Sequence, residues 1–286
     1  MISALSKLPN GNVELTITIP WKRVKESYQK TLSGLTQKAE IKGFRKGKAP
    51  AGLVEEKLGK SAVFEEVLKT LIPEVYLEAI KEQKIRPIIN PQIKVISLEE
   101  NKDWQIQATT CELPEVKLGE YKGEIRKALA AEKIWVPGKE KEEKKDSQET
   151  QDQRLQKVFS VLLKTVSVNI PAILIQDETD RLLSRLIEQV NRLGLTIEKY
   201  LESLGKTSEQ LREEYQKQAE DSLKLELVLS QISEEQKITV SEEEVEKMIK
   251  AVPDEKTQKS FDTPEQRAYI RQLLRKRAVI DNLLKL

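Results

Sequence analysis

Between Gly138 and Gln153 nearly every residue is charged or polar, with Lys-Glu-Lys-Glu-Glu-Lys-Lys-Asp at the centre. Such a stretch cannot bury enough apolar surface to offset the entropy lost on ordering it. It therefore acts as a tether, and the segments on either side must each build a core from their own residues. With 286 residues the chain is long enough for two such cores. The expected boundaries are residues 1–113 for a first domain, 114–153 for a charged and partly disordered linker, and 154–286 for a second domain.

In the first segment Val13, Leu15, Ile17 and Ile19 alternate with Glu14, Thr16 and Thr18, the period of a half-buried strand that Pro20 ends. From Trp21 the period changes. Trp21, Val24, Tyr28, Leu32, Leu35 and Ala39 recur every three or four residues, which predicts an amphipathic helix of about five turns. A short helix with Leu53, Val54 and Leu58 stops near Gly59, and a longer one carries Phe64, Val67, Leu71, Val75 and Ala79 on one side. Pro73 kinks or divides that helix, because its ring removes a donor and crowds the preceding turn. Ile93 and Val95 start a strand, Asn101-Lys102-Asp103 makes a turn, and Trp104, Ile106 and Ala108 alternate in the returning strand. The expected class is an α+β N-terminal domain, three strands packed on helices. Beyond Leu113-Pro114, residues Glu124 to Lys133 suit a short helix or a strand.

From Leu155 onward the period is helical. Leu155, Phe159, Leu162, Leu163 and Val166 form a stripe, and Pro171 starts the next helix, whose apolar face runs from Leu182 to Leu193 with Gly194 at the cap position. A short helix from Thr196 to Leu204 is closed by Gly205. Thr207 with Gln210, and Ser241 with Glu244, have the spacing of capping boxes, and Thr263-Pro264 begins the last helix with Ile270, Leu273, Leu274, Arg277, Ile280 and Leu284 inward. The second segment is expected to be all-helical.

Composition removes most catalytic chemistry. There is no histidine and one cysteine, Cys111, so no histidine base, Cys–His pair or His/Cys metal site can be built. Cys111 ends a strand, where a small buried residue and a reactive thiol are the two readings. Lysine and arginine total 49 against 47 acids, a net +2, so attraction for a polyanion must be local. Glu242, Glu243, Glu244 and Glu246 cluster in a first helical turn, where acids favour the helix dipole or, as the second reading, hold a cation. Arg271, Arg275, Lys276 and Arg277 are either an exposed basic face or an RNA contact. Residues 1–8 lack a basic segment followed by a long apolar run, and no stretch approaches the ~20 apolar residues of a membrane span. A cytoplasmic protein with no membrane contact is expected.

One loop contradicts its surroundings. Ile41 to Pro50 carries Lys42, Arg45, Lys46 and Lys48 and no acid, with Gly43 and Gly47 bracketing Phe44-Arg45-Lys46. The glycines can take positive φ and Pro50 suits the start of a helix, so the loop has ends that hold it in shape. Phe44 either folds back onto its own domain or is displayed for binding.

The order Gly43-Phe44-Arg45-x-Gly47-x-x-Pro50 resembles the ribosome-docking signature of trigger factors, bacterial chaperones of the polypeptide exit tunnel, and matches it at every fixed position. Ile170-Pro171, the run from Glu178 to Leu201, the segment Thr207 to Ala219 and Ile238 to Val245 are similar to the helical substrate-binding domain of the same family. The resemblance implies an elongated all-α C-terminal domain with helical arms. It implies an ATP-independent chaperone that docks through the Gly43–Pro50 loop and shields nascent polypeptides during folding or export; no Walker A pattern is present. Phe44, Arg45, Lys46, Gly47, Lys48 and Pro50, with Gly43, become the expected ribosome-binding residues. Their partner would be ribosomal protein, with rRNA as a second contact, on the large ribosomal subunit. Unfolded nascent polypeptides would be the clients, and the resemblance also allows a homodimer off the ribosome. No cofactor and no metal are expected. Most trigger factors carry an FKBP-like prolyl isomerase domain between the two parts. Gly123 to Leu155 is too short for one and offers only Trp135 as an aromatic. A variant without isomerase activity is therefore expected. The alternative is a ribosome-binding factor that acts on ribosome state or assembly without binding clients.

Overall fold

A computed structural model of the chain describes residues 2–41, 44–130, 147–253, 258 and 261–286, with backbone alone for 147–150. It divides into two compact units, one of residues 1–113 with 171–174, the other of 114–170 with 175–286.

The first unit holds β1 (Ile2–Lys7), β2 (Asn12–Ile19), α1 (Trp21–Lys38), α2 (Ala51–Leu58), α3 (Lys60–Gln83), β3 (Gln92–Ser97) and β4 (Trp104–Cys111). The strands form one antiparallel sheet in the order β1-β2-β4-β3. Register pairs Leu15 with Ala108 and Ile17 with Ile106, so the alternation read from each strand lands on one face. That face meets Val24 of α1 and Val67, Leu71, Val75 and Ala79 of α3 in a single core. Trp104 closes one end of it. Its indole N–H donates to the Glu99 carbonyl at 3.2 Å, which satisfies the polar atom of an otherwise apolar ring. Trp21 and Phe64 lie 6.4 and 5.6 Å from it, centroid to centroid.

The sheet has four strands rather than three. The added one is β1, whose Ile2 and Leu5 fall on opposite faces and so leave no period-two signal. A tight turn joins it to β2. The Leu8 N–H donates to the Asn12 carbonyl at 2.9 Å and the Gly11 N–H to the Leu8 carbonyl at 3.0 Å, with Gly11 at φ +79°. Pro171 stands 3.2 Å from where a Gly11 side chain would begin, the Ala172 N–H donates to the Asn10 carbonyl, and the Ile173 N–H donates to Asn12 Oδ1. This four-residue strap is why 171–174 belong to the first unit. Pro73 does not divide α3, which runs unbroken through it.

The second unit comprises β5 (Val116–Lys117), α4 (Tyr121–Ala130), α5 (Ser147–Thr165), β6 (Ser167–Val168), α6 (Ala172–Arg192) from Ile175 onward, α7 (Ile197–Leu204), α8 (Ser208–Glu235), α9 (Glu242–Lys250) and α10 (Pro264–Leu284). Three clusters of buried residues hold it. The largest joins α4, α5, the end of α8 and the end of α10 around Ile125, Leu162, Ile232 and Leu283. A second lies between α6, α7 and the start of α8, and a third between α9 and α10.

Two expectations change here. The linker was set at 114–153, yet residues 116–130 are ordered elements of the second unit. Tyr121, Ile125 and Leu129 recur every fourth residue and are buried against α5, so α4 has an apolar stripe that its charged flank disguises. Residues 131–146, the heart of the charged tract and the site of Trp135, lie outside the described residues. In α10 the fully buried positions are Ile270, Val279 and Leu283, with Ile280 and Leu284 only partly covered. The helix meets α9 first and the larger cluster later, so its inward face rotates along its length.

The capping signals hold. Thr207 and Gln210, and Ser241 and Glu244, each make both bonds of a capping box, and the Gln266 N–H donates to Thr263 Oγ1 beside Pro264.

Candidate functional site

The Phe44 loop leaves α1 at Ala39, whose backbone turns extended at ψ 139° while its N–H still bonds the last carbonyls of the helix. The chain returns at Gly47. Its N–H donates to the Ala39 carbonyl at 3.3 Å, which closes the neck, and at φ +73° the residue takes the left-handed region open to glycine. An added Cβ would stand 2.8 Å from the Gln37 carbonyl oxygen. At the tip the Phe44 N–H donates to the Ile41 carbonyl at 3.0 Å and the Lys48 N–H to the Arg45 carbonyl at 2.9 Å, two successive turns. Buried Ala49 anchors the far side, and Pro50 stands one residue before α2, its carbonyl accepting the Leu53 N–H. Lys42 and Gly43 lie outside the described residues.

The structure gives the cations different roles. Lys46 Nζ lies 3.1 Å from the Glu40 carboxylate across the neck, and Lys57 of α2 donates to the Glu40 carbonyl at 2.9 Å. Arg45 and Lys48 are exposed and have no ion-pair partner among the described residues. Phe44 is 45% exposed. The loop thus presents an aromatic ring and an unpaired guanidinium on a backbone held at both ends. Glu40 and Lys57 brace it, and neither is evident in the sequence, since Glu40 stands just outside the basic run and Lys57 meets it only through space.

Most of the other candidates have structural roles, while Arg275 and Arg277 are exposed on α10. Cys111 is buried. Glu242 pairs with Arg267 and Arg271, Glu244 caps its own helix, and Glu246 pairs with Lys250, so three of the four acids of the cluster are engaged in ties to neighbours. Lys276 pairs with Glu226 of α8. In the second unit, a cleft of about 310 Å³ among α6, α7 and α8 is lined by Leu183, Leu186, Ile187, Ile197 and Leu201, and Ile187, Leu193, Leu195 and Leu204 are exposed around these elements.

The family model described as bacterial trigger factor protein matches residues 1–144, and the one described as its C-terminus matches residues 138–285. The chain belongs to the trigger factor family. The trigger factor of Staphylococcus carnosus (strain TM300) is 38% identical over 131 residues, 46% of this chain and 30% of that protein. That of Staphylococcus aureus (strain JH9) is 38% identical over 114 residues, 40% of this chain and 26% of that protein. The chain therefore aligns with less than a third of the length of either relative. A solved structure of the trigger factor chaperone, concerned with promiscuous substrate recognition in folding and assembly, superposes with a TM-score of 0.66. It covers 100% of this chain and 99% of that one at 14% identity, a likeness of fold. The two trigger factor models adjoin at residues 138–144, within the charged tract.

Proposed function

We propose that this trigger factor family member is an ATP-independent chaperone that docks at the exit tunnel of the large ribosomal subunit and shields nascent polypeptides in the cytoplasm. The observation that carries the reading is the Phe44–Arg45 tip, displayed on a loop whose neck is closed by Gly47. An exposed aromatic supplies apolar area, and an unpaired guanidinium can bind a carboxylate or phosphate in bidentate fashion. Lys48 adds charge at the rim, whereas Lys46 braces the loop and contributes less to contact. Pro50 leads into α2, and Gly43 belongs to the proposed docking set by its place in the motif. Clients would meet the exposed leucines and isoleucines around α6, α7 and α8, since weak multipoint contact with unfolded chains needs apolar surface and no reactive group. We read the chain as lacking prolyl isomerase activity, because the family models adjoin with no room between them for a further domain.

Co-sedimentation with bacterial ribosomes tests the docking step. The parent is expected to pellet with ribosomes and Phe44→Ala/Arg45→Ala/Lys46→Ala to remain in the supernatant with unchanged helical signal. Equal pelleting by both would refute the assignment of the loop.

A further inference from the structure

The two edges of the sheet are not alike. β3 is guarded against pairing. Pro91 precedes it, Lys94 lies within it, and its register with β4 shifts between Val95 and Ser97, the irregularity that twists an edge away from a neighbour. β1 has neither the proline nor the register shift. It runs Ile-Ser-Ala-Leu-Ser-Lys in unbroken register with β2, contains no proline, and carries one charge, at its end.

The hydrogen-bond phase of β1 follows from its turn. The Leu8 N–H points to β2, where it meets the Asn12 carbonyl, and backbone direction alternates along an antiparallel strand. Ser6, Ala4 and Ile2 therefore face β2, and Lys7, Leu5 and Ser3 face outward. Gln83 Nε2 confirms the phase by donating to the outward Ser3 carbonyl at 3.1 Å. Among the described residues, the N–H and C=O of Leu5 and Lys7 lie beyond the last strand of the sheet.

We infer that the β1 edge accepts an extended, uncharged polypeptide segment by strand addition, bonding its backbone to Leu5 and Lys7. This rests on the chaperone reading above only in taking the segment to be an unfolded client. Main-chain bonding reads no side chain, which suits a site that must accept many sequences. Half-exposed Leu5 offers an apolar contact in register, and Lys7 is neutralised by Glu112 at 2.8 Å, so neither sign of charge is favoured. A second copy fits worse than a client. A two-fold β1–β1 pairing centred on Leu5 would set Lys7 opposite Ser3 twice, and each Ser3 carbonyl is already taken by Gln83.

The test is binding of a short end-blocked fluorescent peptide of alternating valine and threonine to the full chain, read by anisotropy. Leu5→Pro removes an outward donor and leaves the bonds to β2 intact, so the sheet should survive. Affinity is expected to fall about tenfold. The same peptide N-methylated at every amide leaves the protein untouched and should not bind, whereas methylation at alternate amides leaves one edge free and should be tolerated in either phase. Equal binding of the parent peptide by Leu5→Pro and the parent protein would overturn the proposal, as would indifference to N-methylation at every amide. A Leu5→Pro effect confined to self-association in the ultracentrifuge would also overturn it. Suppression of aggregation of an unfolded client is measured separately: if the parent binds peptide at the edge but protects no client, the strand addition stands and the chaperone reading falls.

Discussion

At Gly47 one missing Cβ sets the shape of the Phe44 loop. Gly47→Ala would place a side chain 2.8 Å from the Gln37 carbonyl at φ +73°, and the left-handed conformation alone costs an ordinary residue about 1–2 kcal/mol. Ribosome co-sedimentation is expected to weaken even though Phe44 and Arg45 are intact, while far-UV dichroism stays unchanged. Glu112 offers a residue-level test of acid sensitivity. Its carboxylate accepts from Lys7 and from the Arg86 N–H, which together hold its pKa below the ordinary 4.5. The unfolded chain then binds the extra proton first, so the stabilisation is present above about pH 4.5 and is lost as pH falls through the depressed value. Glu112→Gln should lower the unfolding free energy from urea denaturation at neutral pH by under about 1 kcal/mol, because the pair is partly exposed, and the difference from the parent should vanish in acid. The prominence of Phe44 and Arg45 could be read from sequence because their composition contradicts the flanks. The division of labour among the lysines could not, since Lys46 meets Glu40 only when the neck closes.

At the scale of single elements, what the sequence states is what is local. Thr207 with Gln210 and Ser241 with Glu244 are bonds made within one turn, and both boxes form as their spacing requires. Thr207→Ala should destabilise the second unit by about 1 kcal/mol, measured by urea denaturation followed at 222 nm. Elements whose pattern depends on distant partners were harder to read. β1 is a strand because β2 pairs with it and α3 supplies Gln83 and Glu82, not because Ile-Ser-Ala-Leu-Ser-Lys alternates. α4 falls in the expected linker, where its sequence suits a short helix or a strand, although its three buried residues recur at helical spacing. The inward face of α10 shifts to Val279 and Leu283 since two different neighbours cover its two ends, which a single helical stripe cannot express.

Across the whole molecule, each unit has buried clusters of its own, so core substitutions should act first where they are made. Leu15→Ala removes a fully buried side chain from the first unit and should cost about 2–5 kcal/mol. Hydrogen exchange followed by mass spectrometry is expected to accelerate first in β2 and β4, whereas Ile232→Ala should accelerate α5 and α8 first. The strap at Pro171–Leu174 adds a constraint of timing. The seat at Asn10–Asn12 is made well before the residues that fill it, since Ile173 lies 161 positions after Asn12. During synthesis the β1–β2 turn stays uncovered until the ribosome has translated past residue 174. A chain proposed to attend the emergence of others would thus pass through an unfinished stage of its own at the same place.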